Sequence, residues 1–592
     1  MDAIRRRAIW IGVVAGLVGG LVLGVALTNR GIMANVAGLF HLDNSLFGWI
    51  IHLFLSAIIG GLYGFWFSIF KGSSKYSDGA ASGMIYGFVW WGLGAMTLAP
   101  ILQQGRVAWT LPAAMATFPL LIGYLVYGLV LGITFQILGE LLLGRVLAQP
   151  VVPIPITHRV VILGSGFGGM AAAQRWETHL AKHPEISVTL ISDNNYSLFT
   201  PMLAEVASGA LEAPHISSSV RAFFNRVRFR RAVVASIDTQ AHTVHIQPRE
   251  NADLVALPYD QLLLSLGSTP FDFGLPGIND YAFTLKTLED AITLRDHVLT
   301  LLEHADLLGG EIPPEMLTFV VAGGGFSGME VVAELFDFVH SAIRYYPSIR
   351  PEDTRFILVH SGEHVLPELS SSLGDYAQHK LARRGIAFML GARVAGCTTN
   401  SVLLKDVEAL NARTLIWTTG NKPHPVLQAL EVAKSNNRIQ TDTALRSVSH
   451  PALWAVGDCA FNPDPDGKPY APTAQNASRS GKLAADNMLA AWQGQTQLTP
   501  FVFKPLGLLV VLGQRTAAAE IGDWKFSGLL AWFMWRGIYL SKLPGLEKKV
   551  RVLLDWIVEF FFPRDIVLTQ RVNAPRHSDS ELMTEQKPGG AA

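Results

Sequence analysis

The sequence predicts an α/β chain with two dinucleotide-binding domains, fused to an N-terminal all-α transmembrane bundle. Three observations predict it. Two G-x-G-x-x-G turns lie about 160 residues apart, each between an apolar run and a helix-like segment. From residue 158 to about 490, strand-like runs alternate with helical stretches, the pattern of parallel sheets covered by helices. The first 150 residues hold four long apolar stretches almost free of charge.

Those stretches, roughly 8–28, 46–70, 79–102 and 113–143, are each long enough to span a bilayer, which takes about 20 residues. A cleaved signal peptide does not account for the first, because its apolar run is too long and three more follow. Glycines recur every fourth residue, at Gly12, Gly16, Gly20 and Gly24 and at Gly79, Gly83 and Gly87, and Gly60/Gly64 and Gly128/Gly132 repeat the spacing. Such faces let helices approach closely in lipid, so residues 1–150 read as a packed bundle that could also offer a homodimer contact. His41 and His52, near the start of the second span, have no histidine at matching depth to complete a haem site. They read as interfacial histidines. Arg5, Arg6, Arg7, Lys71, Lys75 and Arg145 flank one side of the spans, against Arg30 and Arg106 on the other. The positive-inside rule then puts the N-terminus and everything after residue 145 in the cytoplasm. The proline-rich linker 149–155 is extended and stiff, and the soluble part begins near Thr157.

Gly164-Ser165-Gly166-Phe167-Gly168-Gly169 follows the apolar run Val160–Leu163. Gly323-Gly324-Gly325-Phe326-Ser327-Gly328 follows Phe319–Ala322. The first glycine of such a motif permits the tight turn, the second admits a pyrophosphate, and the third lets helix and strand pack. The phosphates would lie at a helix N-terminus. Two such turns suggest two dinucleotides with electrons passing between them. Further strands close on Gly267, on Gly420 and on Gly457-Asp458.

Composition narrows the chemistry. Charged residues are 16% of the chain, against about 25% in ordinary soluble domains. Lys+Arg and Asp+Glu both number 47, so no global charge calls for nucleic acid. The two cysteines, Cys397 and Cys459, make a disulfide framework or cysteine metal site improbable, and the 17 histidines form no metal-ligand motif.

From about 158 to 570 the sequence resembles the type II NADH dehydrogenases, single-chain FAD-containing NADH:quinone oxidoreductases. The resemblance rests on Val161–Ala173, Val188–Gly209, Tyr259–Gly277, Phe319–Leu335, Ile416–Pro425, Leu453–Asp486 and Leu530–Asp565. It covers about two thirds of the chain and leaves out the first 150 residues. It implies a glutathione-reductase-like, FAD/NAD(P)-binding flavoprotein fold. The FAD domain would take 157–285 and 426–500, the NAD(P)H domain 286–425, and a membrane-associated amphipathic region 501–572. The resemblance implies that the first turn, with Gly267, Gly457, Asp458 and Ala474, meets FAD, and that the second, with Gly420, meets the nicotinamide nucleotide. Glu330 matches a glutamate near nicotinamide and flavin, although an acid in a helix's first turn is also favoured by the dipole alone. Gln475 matches a glutamine beside the isoalloxazine and the quinone. Sulfide:quinone oxidoreductases share the scaffold but carry a redox-active cysteine pair, whose positions Cys397 and Cys459 do not occupy.

Three departures stand out. The acid that bonds a ribose hydroxyl is displaced in the first unit, where the family position is Ser192 and Asp193 follows. In the second unit that position is His360, which does not repel a 2′-phosphate, so NADPH is admitted beside NADH. Where further glutamines are usual after Gln475, this chain has Arg479 and Ser480; a cation there would face the quinone. The segment 524–562 mixes Trp524, Trp532, Phe533, Trp535, Trp556 and Phe560–Phe562 with basic residues, as amphipathic helices in a membrane interface do. Residues 573–592 read as a disordered tail. The expected function is a membrane-bound NAD(P)H:quinone oxidoreductase that pumps no protons. The alternatives are the same flavoenzyme with a non-quinone acceptor, or a redox-sensing membrane flavoprotein.

Overall fold

A computed structural model describes residues 2–29, 31–38, 44–69, 76–107, 109, 111–147, 155–249, 252–513 and 515–568. The chain divides into two compact units, 1–154 with 545–547, and 155–544 with 548–592.

In the first unit, four helical stretches are long and apolar enough to cross a membrane: Arg6–Asn29, Ser45–Trp66, Gly79–Leu102 and Met115–Leu142. The third contains a π-helical stretch, Trp91–Leu98, and the fourth accommodates Pro119 within Leu111–Leu147. A short helix, Met33–Gly38, was not foreseen. The glycine faces are used within the chain. A side chain on Gly12 would collide with the carbonyl of Gly60, and one on Gly83 with that of Gly128. The first helix therefore packs on the second and the third on the fourth, backbone against backbone. The His52 ring is buried against the first helix, and Nε2 donates to the Gly20 carbonyl at 2.8 Å. A helix-to-helix bond removes the cost of burying that nitrogen. His41, the loop cations Arg30, Lys71 and Lys75, most of the linker and the tail lie outside the described residues.

The second unit holds two parallel sheets. In the first, strands lie in the order Leu453–Ala455, Gln261–Leu264, His158–Leu163, Ile186–Ser192, Arg228–Arg231. In the second the order is Ile386–Leu390, Arg355–His360, Thr318–Ala322, Thr414–Trp417. All of Thr318–Ala322 is buried, which is why this strand reads as a continuous apolar run instead of an alternating one. Each glycine turn leaves an inner strand, where the chain has neighbours on both sides. The pairing of Ser268–Pro270 with Asn421–Pro423 lays the two crossings between sheets side by side.

Two antiparallel additions matter for the site. Val233–Asp238, Thr243–Gln247 and Val255–Pro258 form a meander on the first domain. Leu508–Val511, Ala517–Ile521 and Trp524–Ser527 form another, followed by the helices Gly528–Lys542 and Leu546–Phe561. The region expected to be amphipathic helix therefore begins as a sheet. Its helix pair does two things at once. Trp532, Trp535 and Trp556 are buried, while Leu530, Phe533, Leu554, Val558 and Phe561 are exposed.

Candidate functional site

Both glycine turns have the geometry that a pyrophosphate requires. Gly164 turns at φ +97° and Gly323 at φ +117°, a region L side chains rarely adopt. The Gly164 N–H donates to the Ile191 carbonyl at 2.7 Å, locking the turn to the neighbouring strand. A side chain on Gly169 would strike the Gly164 carbonyl, and one on Gly328 the Gly323 carbonyl. Gly166 differs: nothing lies within 4 Å of the place its Cβ would take. Around Gly325 only a Glu368 carboxylate oxygen comes that near, at 3.7 Å. Gly166 and Gly325 begin the helices Phe167–His179 and Phe326–Ala342, and neither end carries a side-chain cap. The free N–H groups and the space above them fit a bound diphosphate.

Around the first turn, Ser192 is buried and accepts from the Ser165 hydroxyl at 2.9 Å, whereas Asp193 is exposed beside it. Arg231 Nε donates to the Asp193 carbonyl at 2.9 Å. A cavity of about 540 Å³, lined by Val234–Ile237, His424–Val426, Ala429 and Leu430, opens nearby. His424, in its lining, feels the charge of Asp193. Asp458 accepts from the Ser268 hydroxyl at 2.9 Å, and the charge of Asp458 partly offsets the burial that lowers the pKa of Lys286. Gly267 and Gly457 both have positive φ, and Gly420 is pressed against Phe273. At the second turn, His360 Nδ1 accepts the Gly324 N–H at 3.2 Å. Its ring packs so closely on Gly324 and Gly362 that neither has room for a Cβ.

Gln475 and Glu330 both bond to the segment 506–511. Gln475, in the first turn of the helix Ala474–Trp492, donates from Nε2 to the Gly507 carbonyl and accepts from the Leu506 N–H, both at 3.1 Å. Glu330, in the helix that follows the second turn, accepts the Val511 N–H at 3.3 Å. Gln475 thus holds the two residues that lead into the strand Leu508–Val511, and Glu330 holds the strand's last residue. Burial pushes the Glu330 carboxyl well above the usual carboxylate range, with Glu205 and Glu334 adding repulsion; the Val511 bond opposes this. Arg479 is engaged elsewhere: Nη1 donates to the Lys504 carbonyl at 2.8 Å, and the guanidinium lies 5.4 Å from the Phe503 ring centre.

Several neighbours were not anticipated. Tyr539 is within electrostatic reach of Glu330 and packs on Trp535 and on Phe199, which meets Phe167 of the first turn. Behind Glu330 lies a buried ionic cluster of Glu205, Glu334, Arg536, Glu559 and Arg564. The apolar setting of Glu205, in Met202-Leu203-Ala204-Glu205-Val206-Ala207, was the one available signal. Cys397 and Cys459 are both free and buried, and burial raises each thiol's pKa to about 11, so neither is a reactive thiolate. Among the described residues no group of His, Cys, Asp and Glu could hold a metal.

Residues 158–481 match the family model described as pyridine nucleotide-disulphide oxidoreductase, and residues 506–565 match the NDH2 C-terminal domain. A probable NADH dehydrogenase of Dictyostelium discoideum is 30% identical over 69% of this chain and 91% of its own length. A type II NADH:quinone oxidoreductase of Mycobacterium tuberculosis is 28% identical over 68% of this chain and 87% of its own. In fold, the chain is similar to NDH2 from Plasmodium falciparum in complex with NADH, with TM-score 0.64 and 21% identity over 69% of this chain and 99% of that one.

Proposed function

This chain belongs to the pyridine nucleotide-disulphide oxidoreductases and is a type II NADH dehydrogenase, and on that premise we propose how its residues divide the work. The protein is a flavoprotein that oxidises NADH and reduces a quinone. We assign FAD to the first turn, with Ser192, Asp193, Gly267, Gly457, Asp458 and Ala474, and the nicotinamide nucleotide to the second, with His360 and Gly420. Bound FAD supplies a two-electron carrier between NADH and the quinone. The residues supply position and one proton. The open floor at Gly166 and the uncapped helix above it support the first assignment, and the matching features at Gly325 support the second.

The observation that carries the reading is the strand Leu508–Val511, with Gln475 holding the two residues that lead into it and Glu330 holding its last residue. It joins the two nucleotide-binding halves to the NDH2 C-terminal domain. Reducing a quinone to a quinol takes two electrons and two protons, and the hydride brings both electrons and one proton. We assign the other to Glu330, whose carboxyl is held above the usual carboxylate range and so favours the protonated form. The exposed apolar face of the C-terminal helices suits contact with a bilayer, from which a quinone enters. The orientation that fits the basic residues flanking the spans puts this unit on the cytoplasmic side of the cytoplasmic membrane.

Anaerobic spectroscopy of the detergent-purified protein tests the reading. NADH should bleach the flavin, and a short-chain quinone should restore it. Flavin that NADH bleaches and no quinone reoxidises would contradict the proposed acceptor.

A further inference from the structure

The ionic cluster behind Glu330 does not balance. Arg564 meets Glu334 at 2.9 Å and Glu559 at 2.8 Å, and Arg536 meets Glu559 at 3.1 Å and Glu205 at 3.8 Å. With Glu330, four carboxyls share two guanidiniums. The nearby Arg384 is matched by Asp337 and adds no surplus. At neutral pH such a set retains protons, because an uncompensated buried carboxylate is costly.

The geometry says where a proton stays. Glu334 Oε2 takes both the Arg564 contact and the Ser208 hydroxyl at 2.9 Å, so this oxygen is doubly partnered. Glu559 bridges both arginines, and its side chain is 21% exposed, against 5% for Glu334 and 3% for Glu205. Glu205 is 2% exposed. Its Oε1 accepts the Trp556 indole N–H at 3.2 Å, but Oε2 is buried with no hydrogen-bond partner. The Arg536 guanidinium that would neutralise it stands off at 3.8 Å and is sandwiched between the rings of Trp532 and Trp556, 4.0 and 4.5 Å from their centres.

Every element packed on Glu205 contributes to this setting. Arg536 comes from the helix Gly528–Lys542; Trp556 and Glu559 come from the helix Leu546–Phe561, which also carries Asp555, paired with His215. Glu330 and Glu334 come from the helix Phe326–Ala342, and Arg564 from the segment that follows the C-terminal helices. The helix Leu288–Leu307 carries Arg295 and Asp296, which pair with each other at 3.3 Å. Burial raises the pKa of Glu205 to about 8, against the lowering effect of Arg536, and Glu334 and Glu559 raise it further.

We infer that Glu205 is a proton-holding positioning residue for quinone reduction, keeping in reserve the proton that replaces the one Glu330 gives up. This rests on the NADH:quinone reading. In each turnover Glu330 transfers a proton to a quinone oxygen, Glu205 returns one to Glu330, and solvent restores Glu205 by way of the Glu559 end of the cluster. No electron moves in these transfers, and the net uptake is the one proton that quinol formation needs beyond the hydride.

The test follows the oxidative half-reaction by anaerobic stopped flow, mixing NADH-reduced protein with a short-chain ubiquinone analogue from mildly acidic to alkaline pH. Wild type should slow on the alkaline side. Glu205→Gln should be slower by about tenfold or more and lose that pH dependence, Glu205→Asp should recover both, and flavin reduction by NADH should be unchanged in either. A lost packing contact would change stability but not erase a pH limb. Wild-type rates with an intact alkaline limb in Glu205→Gln would overturn the inference. Should Glu205→Gln not fold, time-resolved infrared spectra of wild type during reoxidation by quinone decide. A protonated-carboxyl band that changes during the cycle is expected, and no such band would overturn the inference. A wild type that reduces no quinone would instead sink the functional reading.

Discussion

Gln475 Nε2 donates to the carbonyl of Gly507 at 3.1 Å, so the helix that begins at Ala474 holds the start of the C-terminal sheet directly. The same amide accepts from the Leu506 N–H, which leaves little freedom to the backbone at that point. Replacing Gln475 with Ala removes both bonds, at about 1 kcal/mol each. The expected result is a several-fold rise in KM for quinone with little change in the rate of flavin reduction by NADH. Steady-state kinetics with both substrates varied will check it.

The glycines of the first turn should respond differently to one added methyl. Gly169→Ala places a Cβ against the Gly164 carbonyl and should prevent stable folding. Gly166→Ala meets no protein atom within 4 Å and should fold, yet lose FAD because the methyl occupies the diphosphate's approach. Flavin absorbance per mole of folded protein separates the two, and full flavin content in Gly166→Ala would contradict the assignment.

His360 lies against Gly324 and Gly362 at the end of its strand, where an acid would repel a 2′-phosphate. His360→Glu should raise the NADH-to-NADPH ratio of kcat/KM by about tenfold or more. An unchanged ratio would show that this side chain does not meet the ribose.

Arg564 compensates two carboxylates at once, with Glu334 only 5% exposed. Arg564→Ala leaves Glu334 without its cation and Glu559 with Arg536 alone, and should cost about 3–5 kcal/mol of stability. Denaturant unfolding measures this directly.

The raised carboxyls also set a pH dependence for stability. Burial lifts Glu205 from 4.5 to about 8, and Glu330 is lifted as well. A group whose folded pKa is raised contributes stability below its unfolded value and loses that contribution as pH rises through the folded value. Thermal stability should therefore fall from mildly acidic pH towards about pH 8 and above, and Glu205→Gln should flatten the fall. Melting curves across that range provide the check.

Much of this architecture was legible in the chain because it is encoded locally. A G-x-G-x-x-G turn needs only six residues, and a membrane span needs only an uncharged apolar run. The C-terminal sheet was hidden because its short strands lie among the same aromatic and basic residues that suggest interfacial helices. Arg479 was legible as a cation but not as a partner of the Lys504 carbonyl and the Phe503 ring. The cluster of Glu205, Glu334, Arg536, Glu559 and Arg564 was invisible for a stricter reason. Its members come from segments hundreds of residues apart, and their charges acquire meaning only once burial removes water from around them.

Electrons pass from NADH through this flavoprotein to a quinone without proton pumping. Full-length protein in liposomes containing a long-chain quinone tests it most directly, by following NADH oxidation and the pH on both sides of the bilayer. The expected result is quinone-dependent NADH oxidation with proton uptake on the NADH side and no proton release on the other. NADH oxidation that ignores the quinone, or that releases protons on the side of the bilayer opposite to NADH, would contradict it.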